Sequence, residues 1–209
     1  MTAYLSDITD FIEMHPHYAA WAVFGLAFSE AIPIIGTVVP GSTLIVATSA
    51  LAIGADISPW LLLAAATLGA ILGDGASFWL GQRCHRQILQ RWPLNQFPQL
   101  IARSEAFFNR YGAASVFLAR FTAVVRAFVP LIAGIVQMPA RQFYLANILS
   151  AIVWAPAHVF PGVVFGLLVS LAGARPEQIF ILAVAAMLLG VAVVRAVRYL
   201  LKRGAASSE

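Results

Sequence analysis

Long apolar segments fill most of this chain and restrict its fold more than any other feature. Five of them are present, at residues 18–54, 59–82, 113–138, 140–171 and 178–201. The chain is 61% hydrophobic and 11% charged, whereas about a quarter of the residues in a soluble domain are charged. Because a helix of about 20 apolar residues spans a bilayer, the pattern predicts an all-α polytopic membrane protein.

Proline and glycine break two of these segments. The breaks are Pro33, Gly36, Pro40 and Gly41 in residues 18–54, and Pro130 and Gly134 in residues 113–138. A re-entrant helical hairpin, which enters and leaves the membrane on one side, explains such a broken segment better than a straight helix. The first hairpin is expected to turn near residues 34–42. Four residues are predicted at the hairpin tips: Pro40, Gly41, Pro130 and Gly134.

The other apolar segments predict about three full transmembrane helices. Residues 59–82 follow a Ser-Pro start signal, residues 140–171 carry an interruption at Pro156 and Pro161-Gly162, and residues 178–201 are the most regular span. An amphipathic helix is expected near the N-terminus and another over residues 98–111.

The order of these elements predicts one integral-membrane domain over residues 1–209, built as an inverted repeat. An amphipathic helix, a broken hairpin and a full span occur over 4–82 and again over 98–171, and the helix over 178–201 is extra. Arginines and lysines concentrate in residues 83–111 and in the C-terminal tail, which the positive-inside rule places in the cytoplasm. The N-terminus is then expected outside, with the two hairpins facing opposite ways. We read the net charge of +4 as a topology signal rather than as nucleic-acid binding.

Two arginines, Arg120 and Arg126, lie inside an apolar segment. Each costs about 2.5–3.5 kcal/mol at the centre of a spanning helix. In a straight helix they would lie about 120° apart, so they meet at one ligand only if the segment bends or unwinds between them. The planar guanidinium suits a phosphate group, which predicts a phosphate site. The alternative is that one arginine reaches the headgroups and the other binds helix C-terminal carbonyls.

Two acidic residues in apolar surroundings are candidate counter-charges. Glu30 precedes the first break and could carry a proton or pair with Arg120 or Arg126, and these two roles are compatible. Asp74 follows Gly69 and Gly73, whose spacing lets another helix approach closely. A simple packing or interfacial role for Asp74 stays open, and His158 is a weak hint of a proton relay.

Enzyme chemistry has little support in the sequence. We find no nucleophile elbow, no phosphate-binding glycine loop with lysine and no zinc-ligand spacing. The single cysteine, Cys84, rules out an internal disulfide. We therefore expect a non-enzymatic protein without a metal or other cofactor.

The chain resembles the DedA family, also called the SNARE-associated or VTT-domain family, over residues 18–170. The matching residues are Glu30, Pro40-Gly41, Gly69, Gly73-Asp74, Gly81, Arg120-Phe121, Val125-Arg126, Pro130, Ala133-Gly134, Met138, Phe143, Asn147 and Trp154. The resemblance implies a bacterial inner-membrane protein with two oppositely facing re-entrant hairpins. It also implies movement of phospholipids or polyprenyl phosphates between leaflets, with undecaprenyl phosphate a leading substrate and the proton motive force as driving force.

The resemblance also implies roles for individual residues. The essential arginines of the family correspond to Arg120 and Arg126, the acid of its first hairpin to Glu30, and the aspartate after the glycine to Asp74. Many members carry an acid after Pro-Gly, where this chain has Ser42. A serine can bind phosphate but carries no proton at neutral pH. Proton coupling is therefore either lost or left to Glu30 and Asp74.

The sequence leads to one expected function and two rivals. The expected function is transport of an anionic lipid, with Arg120, Arg126 and Ser42 binding the phosphate and with Glu30 and Asp74 as counter-charges and proton carriers. The first rival is a proton-coupled transporter of small cations or drugs. The second is a non-transporting organiser that binds anionic lipid. The expected partners are the lipid, protons and a further copy of the chain.

Overall fold

The computed structural model describes residues 16–38, 40–54, 57–90, 93–122, 125–171 and 173. Regular structure in those ranges is entirely helical, and they contain no strand. The amphipathic helix expected near the N-terminus and the span expected over 178–201 lie outside the described residues. The all-α class predicted from the sequence is confirmed for the part of the chain that is described.

The described residues form eight α-helices. In chain order they are α1 (Pro16–Glu30), α2 (Ile35–Val38), α3 (Gly41–Gly54), α4 (Pro59–Cys84), α5 (Pro98–Tyr111), α6 (Ala114–Ala119), α7 (Val129–Ile135) and α8 (Ala140–Leu171). Two short 3-10 helices, His85–Gln90 and Leu94–Gln96, connect α4 to α5. The amphipathic helix predicted over 98–111 is therefore present as α5.

Two of these helices are long and apolar enough to cross a membrane. One is Pro59–Gln90, which is α4 with the 3-10 turn after it, and the other is α8. At 1.5 Å per residue, α4 and α8 are roughly 39 and 48 Å long, compared with about 30 Å for the hydrocarbon core of a bilayer. Both spans were predicted from the sequence.

The interruption predicted inside the second span is wrong. Helix α8 continues through Pro156 and Pro161 over its full 32 residues. A proline removes one backbone donor and crowds the preceding turn, but the hydrogen bonds on either side and neighbouring helices can hold the helix together. Helix α3 is such a neighbour, because Gly162 and Gly166 both lie against its backbone.

Each broken segment folds into a pair of helices that contact each other. Helices α1 and α3 form the first pair and are joined through residues 31–40, which include α2. Helices α6 and α7 form the second pair and are much shorter, with six and seven residues. Entry and exit on one side of the membrane stays a prediction for both pairs, as does the inverted repeat.

Glycines allow neighbouring helices to approach α4 closely. A Cβ atom on Gly69 would lie 2.4 Å from the Phe24 carbonyl oxygen, and one on Gly73 would lie 2.6 Å from that of Phe28. Both carbonyls belong to α1, so α1 and α4 approach with backbone almost against backbone. The close approach predicted from the Gly69–Gly73 spacing is confirmed, and it holds Asp74 beside the end of α1.

Candidate functional site

Glu30 lies at the end of α1, where the chain turns back on itself. Ile34, in that turn, has a φ of 79°, which is uncommon for a β-branched residue. A Cβ atom on Gly36 would lie 2.1 Å from the Glu30 carbonyl oxygen, and one on Gly41 would lie 3.1 Å from the Glu30 side chain. The two glycines therefore let the returning chain close around Glu30.

Glu30 and Arg126 form a buried ion pair that joins the two broken segments. Arg126 Nη1 lies 3.0 Å from Glu30 Oε1, and the two side chains are only 11% and 8% exposed. Ser42 Oγ, in the first turn of α3, donates to Glu30 Oε1 at 2.6 Å and accepts from Arg126 Nη1 at 3.2 Å. The sequence predicted that Glu30 could pair with one of the two arginines, and the structure identifies Arg126.

Arg120 forms a second and more fully satisfied cluster. It makes an ion pair with Asp74 on α4, and its Nε donates to Ser150 Oγ on α8 at 2.9 Å. The same guanidinium also donates to Asn147 Oδ1. Asn147 in turn donates to the Ile71 carbonyl oxygen at 3.1 Å. Arg120 thus joins α4 and α8 to the end of α6.

Regular helix is interrupted between the two arginines. Helix α6 ends at Ala119 and α7 begins at Val129, so the straight helix that would separate the arginines is absent here. The guanidinium carbons of Arg120 and Arg126 lie 5.8 and 5.1 Å from the centre of the Trp154 ring. The interruption of the helix that the phosphate-site prediction required is therefore present, and the phosphate site itself stays a prediction.

The resulting site contains two positive and two negative side chains in a buried setting. A small pocket is lined by Asp74, Val116, Arg120, Arg126 and Pro130. Glu30 Oε2 is buried and has no hydrogen-bond partner among the described residues. Within the described part of the chain, the Glu30 carboxylate is thus held on one oxygen only, so its pair with Arg126 is the less firmly held of the two.

The predicted tip residues occupy two different environments. Pro40 and Gly41 lie where the chain enters α3, beside Glu30. Pro130 lies in the first turn of α7, and Gly134 lies inside that helix instead of at a break. A Cβ atom on Gly134 would lie 2.1 Å from the Phe78 carbonyl oxygen, so Gly134 belongs to the crossing of α7 with α4.

Sequence reasoning did not assign site roles to three residues of α8: Asn147, Ser150 and Trp154. Asn147 and Ser150 are polar residues in an apolar span, and that is the signal that could have identified them. His158 Nδ1 lies 2.8 Å from the Trp154 carbonyl oxygen and its ring centre lies 4.4 Å from the indole. That geometry fits hydrogen bonding within the helix bundle, and a proton relay through His158 stays a prediction.

Comparison with known proteins identifies the family. Residues 39–164 match the VTT domain. The chain is 31% identical to the inner membrane protein YabI of Escherichia coli over 157 residues, which are 75% of this chain and 61% of YabI. It is 37% identical to an uncharacterized membrane protein of Synechocystis over 150 residues, 70% of this chain and 67% of that protein.

A further relative is the protein DedA of E. coli, which is 25% identical over 160 residues, 74% of this chain and 73% of DedA. The chain spans about three fifths of the length of YabI, as the 61% coverage shows. No solved structure matches the chain. The chain belongs to the VTT domain family of membrane proteins, the family of DedA and YabI.

Proposed function

We propose that this protein is a transporter that moves an anionic lipid between the two leaflets of a bacterial inner membrane. The observation that carries the proposal is the buried ion pair between Arg126 and Glu30, which links the two broken helical segments. The substrate is a polyprenyl phosphate, such as undecaprenyl phosphate, or a phospholipid. Its phosphate carries the same sign of charge as the Glu30 carboxylate and suits the same guanidinium.

Exchange of one anion for another is the central step. Protonation of Glu30 removes the negative charge that faces Arg126, and a lipid phosphate then takes its place. Ser42 already contacts both Glu30 and Arg126, so its hydroxyl can turn and donate to the phosphate. Proton uptake and phosphate binding therefore favour each other, although residue 42 is not an acid.

The Arg120 cluster supplies a second positive group near the phosphate. Arg120 and Arg126 share one pocket, and Asp74 compensates Arg120 when the site is empty. The lipid tail stays in the bilayer, beside the exposed apolar side chains of α4 and α8. Rearrangement of the two broken segments then opens the site to one leaflet at a time. The role is transport without covalent chemistry, and it needs no cofactor.

Leaflet exchange of labelled undecaprenyl phosphate in proteoliposomes tests the proposal. Wild type, Arg126→Ala and Arg110→Ala are compared with and without an imposed pH gradient. Arg110 is an exposed arginine on α5 and serves as the control. We expect exchange in wild type and Arg110→Ala, and loss of exchange in folded Arg126→Ala.

Two outcomes would contradict the proposal. Wild-type exchange by folded Arg126→Ala would remove the phosphate-binding role of that arginine. No exchange of polyprenyl phosphate or phospholipid by folded wild type would instead favour a carrier of small cations or an organiser that only binds lipid. Dependence on the gradient would show that proton coupling is retained with Ser42 in place of an acid.

A further inference from the structure

Trp154 is a buried aromatic side chain that contacts both arginines of the site. It lies on α8 and is 1% exposed. The Arg126 guanidinium carbon lies 5.1 Å from the centre of its ring, and the Arg120 carbon lies 5.8 Å away. The proposed function gives this residue no role.

An indole ring attracts a cation more strongly than any other side-chain ring, and the attraction grows when both groups are removed from water. Both groups are largely removed from water here, because Trp154 is almost fully buried and the Arg126 side chain is 11% exposed. One ring can therefore hold two guanidinium groups that would otherwise repel each other. Asp74 and Glu30 supply the compensating negative charges.

The two arginines depend on Trp154 to different degrees. Arg120 is also fixed by Asp74, Asn147 and Ser150. Arg126 is fixed by Glu30 and Ser42, the two groups that an incoming phosphate would displace or redirect. During that exchange the Trp154 ring is the side-chain contact that keeps the Arg126 guanidinium in place.

We propose that Trp154 is a positioning residue that orients Arg126 for anion binding. Its indole face holds the guanidinium while the carboxylate of Glu30 leaves and a phosphate group arrives. The inference rests on the proposed function to the extent that the anion is a lipid phosphate. The orientation of Arg126 itself is independent of the lipid and is measured separately.

Two substitutions separate the aromatic face from side-chain volume. Trp154→Phe keeps a ring with a weaker attraction for cations, and Trp154→Leu removes the ring. With dioctanoyl phosphatidic acid as probe and purified protein in detergent, we expect affinity to fall about tenfold for Trp154→Leu and about threefold for Trp154→Phe. Calorimetric titration gives these affinities directly.

Phe143→Leu is the matched control. Phe143 also lies on α8, is fully buried, and stacks on Phe78 with ring centres 3.9 Å apart. Its replacement removes a buried ring from the same helix and lowers thermal stability in a similar way. A residue that only fills the core would lower stability without changing affinity, so Phe143→Leu is expected to bind phosphatidic acid like wild type.

Chemical modification of Arg126 by phenylglyoxal tests the positioning role without lipid. The rate is followed by mass spectrometry of the peptide that contains Arg126. We expect modification to be slow in wild type and Phe143→Leu, intermediate in Trp154→Phe and fastest in Trp154→Leu. Trp154→Phe provides the comparison if Trp154→Leu does not fold.

The two readouts distinguish failure of each proposal. Folded wild type that binds no phosphatidic acid would count against the proposed function, while the modification rates would still decide the role of Trp154. A wild-type modification rate at Arg126 in the folded Trp154 variants would overturn the positioning role, whatever the lipid result. Faster modification of Arg126 in the Trp154 variants, but not in Phe143→Leu, would support the positioning role.

Discussion

Arg120 and Arg126 differ in how completely their neighbours hold them. Arg120 has an ion pair with Asp74 and hydrogen bonds to two further side chains on α8. Among the described residues, Arg126 has one ion pair and one side-chain hydrogen bond, to Ser42, and the second oxygen of its carboxylate partner has no partner. At the scale of single residues, the first arginine is suited to a permanent cross-link and the second to exchange.

The Arg120–Asp74 pair should behave as one unit in stability measurements. Removing one member leaves a buried charge without compensation, which costs about 3–5 kcal/mol. We therefore expect Arg120→Met to unfold at a much lower temperature in detergent than wild type. The double variant Arg120→Met/Asp74→Leu should recover most of the loss, because apolar groups can replace a buried pair. A double variant no more stable than Arg120→Met would contradict this interpretation.

Glu30→Gln should separate transport from its driving force. Glutamine keeps the shape of the protonated carboxyl group but cannot release a proton. Leaflet exchange by Glu30→Gln is expected to continue and to ignore an imposed pH gradient, whereas Glu30→Asp should respond to the gradient like wild type. The measurement is labelled-lipid exchange in proteoliposomes. Gradient-dependent exchange by Glu30→Gln would exclude Glu30 as the proton carrier.

Helix crossings made by glycine determine how the elements pack. Gly134 on α7 and Gly81 on α4 face each other, and a Cβ atom on Gly81 would lie 2.2 Å from the Leu131 carbonyl oxygen. These contacts are to backbone atoms, which cannot move without shifting a whole helix. The crossing also fixes α7, which begins three residues after Arg126.

Gly134→Ala should therefore destabilise the protein, and Gly25→Ala should not. The added methyl group at Gly134 overpacks the crossing, at a cost of about 1–3 kcal/mol. Gly25 lies inside α1, and a Cβ atom there meets nothing within 4 Å, so alanine should stabilise the helix by up to about 1 kcal/mol. Thermal unfolding in detergent compares the two. Equal stability of the two variants would contradict the importance of the crossing.

The sequence was a good guide to the long elements and a poorer one to their interruptions. Helix α8 has the bounds that hydropathy predicted, and α5 has the bounds that amphipathic spacing predicted. The predicted break at Pro156 and Pro161 was wrong. Proline weakens a helix locally, but packing against α3 through Gly162 and Gly166 is a tertiary property that no local pattern contains.

At the scale of the whole molecule, the positions of the arginines predict the orientation in the membrane. Arg83 lies in the last turn of α4 and Arg86 follows the helix, so the positive-inside rule predicts that this end faces the cytoplasm. Helix α4 is roughly 39 Å long, which is enough for its two ends to reach opposite sides of the hydrocarbon core. Ser58 precedes the other end and is exposed.

Cysteine labelling in intact cells tests this orientation. A membrane-impermeant thiol reagent should label Ser58→Cys in a Cys84→Ser background. The native Cys84 should react with that reagent only after the membrane is opened. Cys84→Ser alone is the unlabelled control. Labelling of Cys84 in intact cells, with protection of residue 58, would show the opposite orientation.

The sequence by itself predicted a membrane protein and most residues of the candidate site. Apolar segments of spanning length exclude a soluble fold, and Arg120, Arg126, Glu30 and Asp74 are recognisable because a charge in an apolar span is costly. The choice of these four charged residues depends on composition and local spacing, which a chain carries without folding. Ser42 was singled out through the family resemblance, because many members carry an acid at its place after Pro-Gly.

Only the tertiary structure decided which charge pairs with which. Asp74 and Arg120 are 46 residues apart, and Ser42 and Arg126 are 84 apart, so their contacts depend on how the helices cross. The crossing of α4 with α1 and α7 depends on glycines that admit a neighbouring backbone. The interruption between α6 and α7 allows both arginines to lie near Trp154. Pairing in a buried site is thus a result of packing, because close contact between distant residues exists only after the helices are assembled.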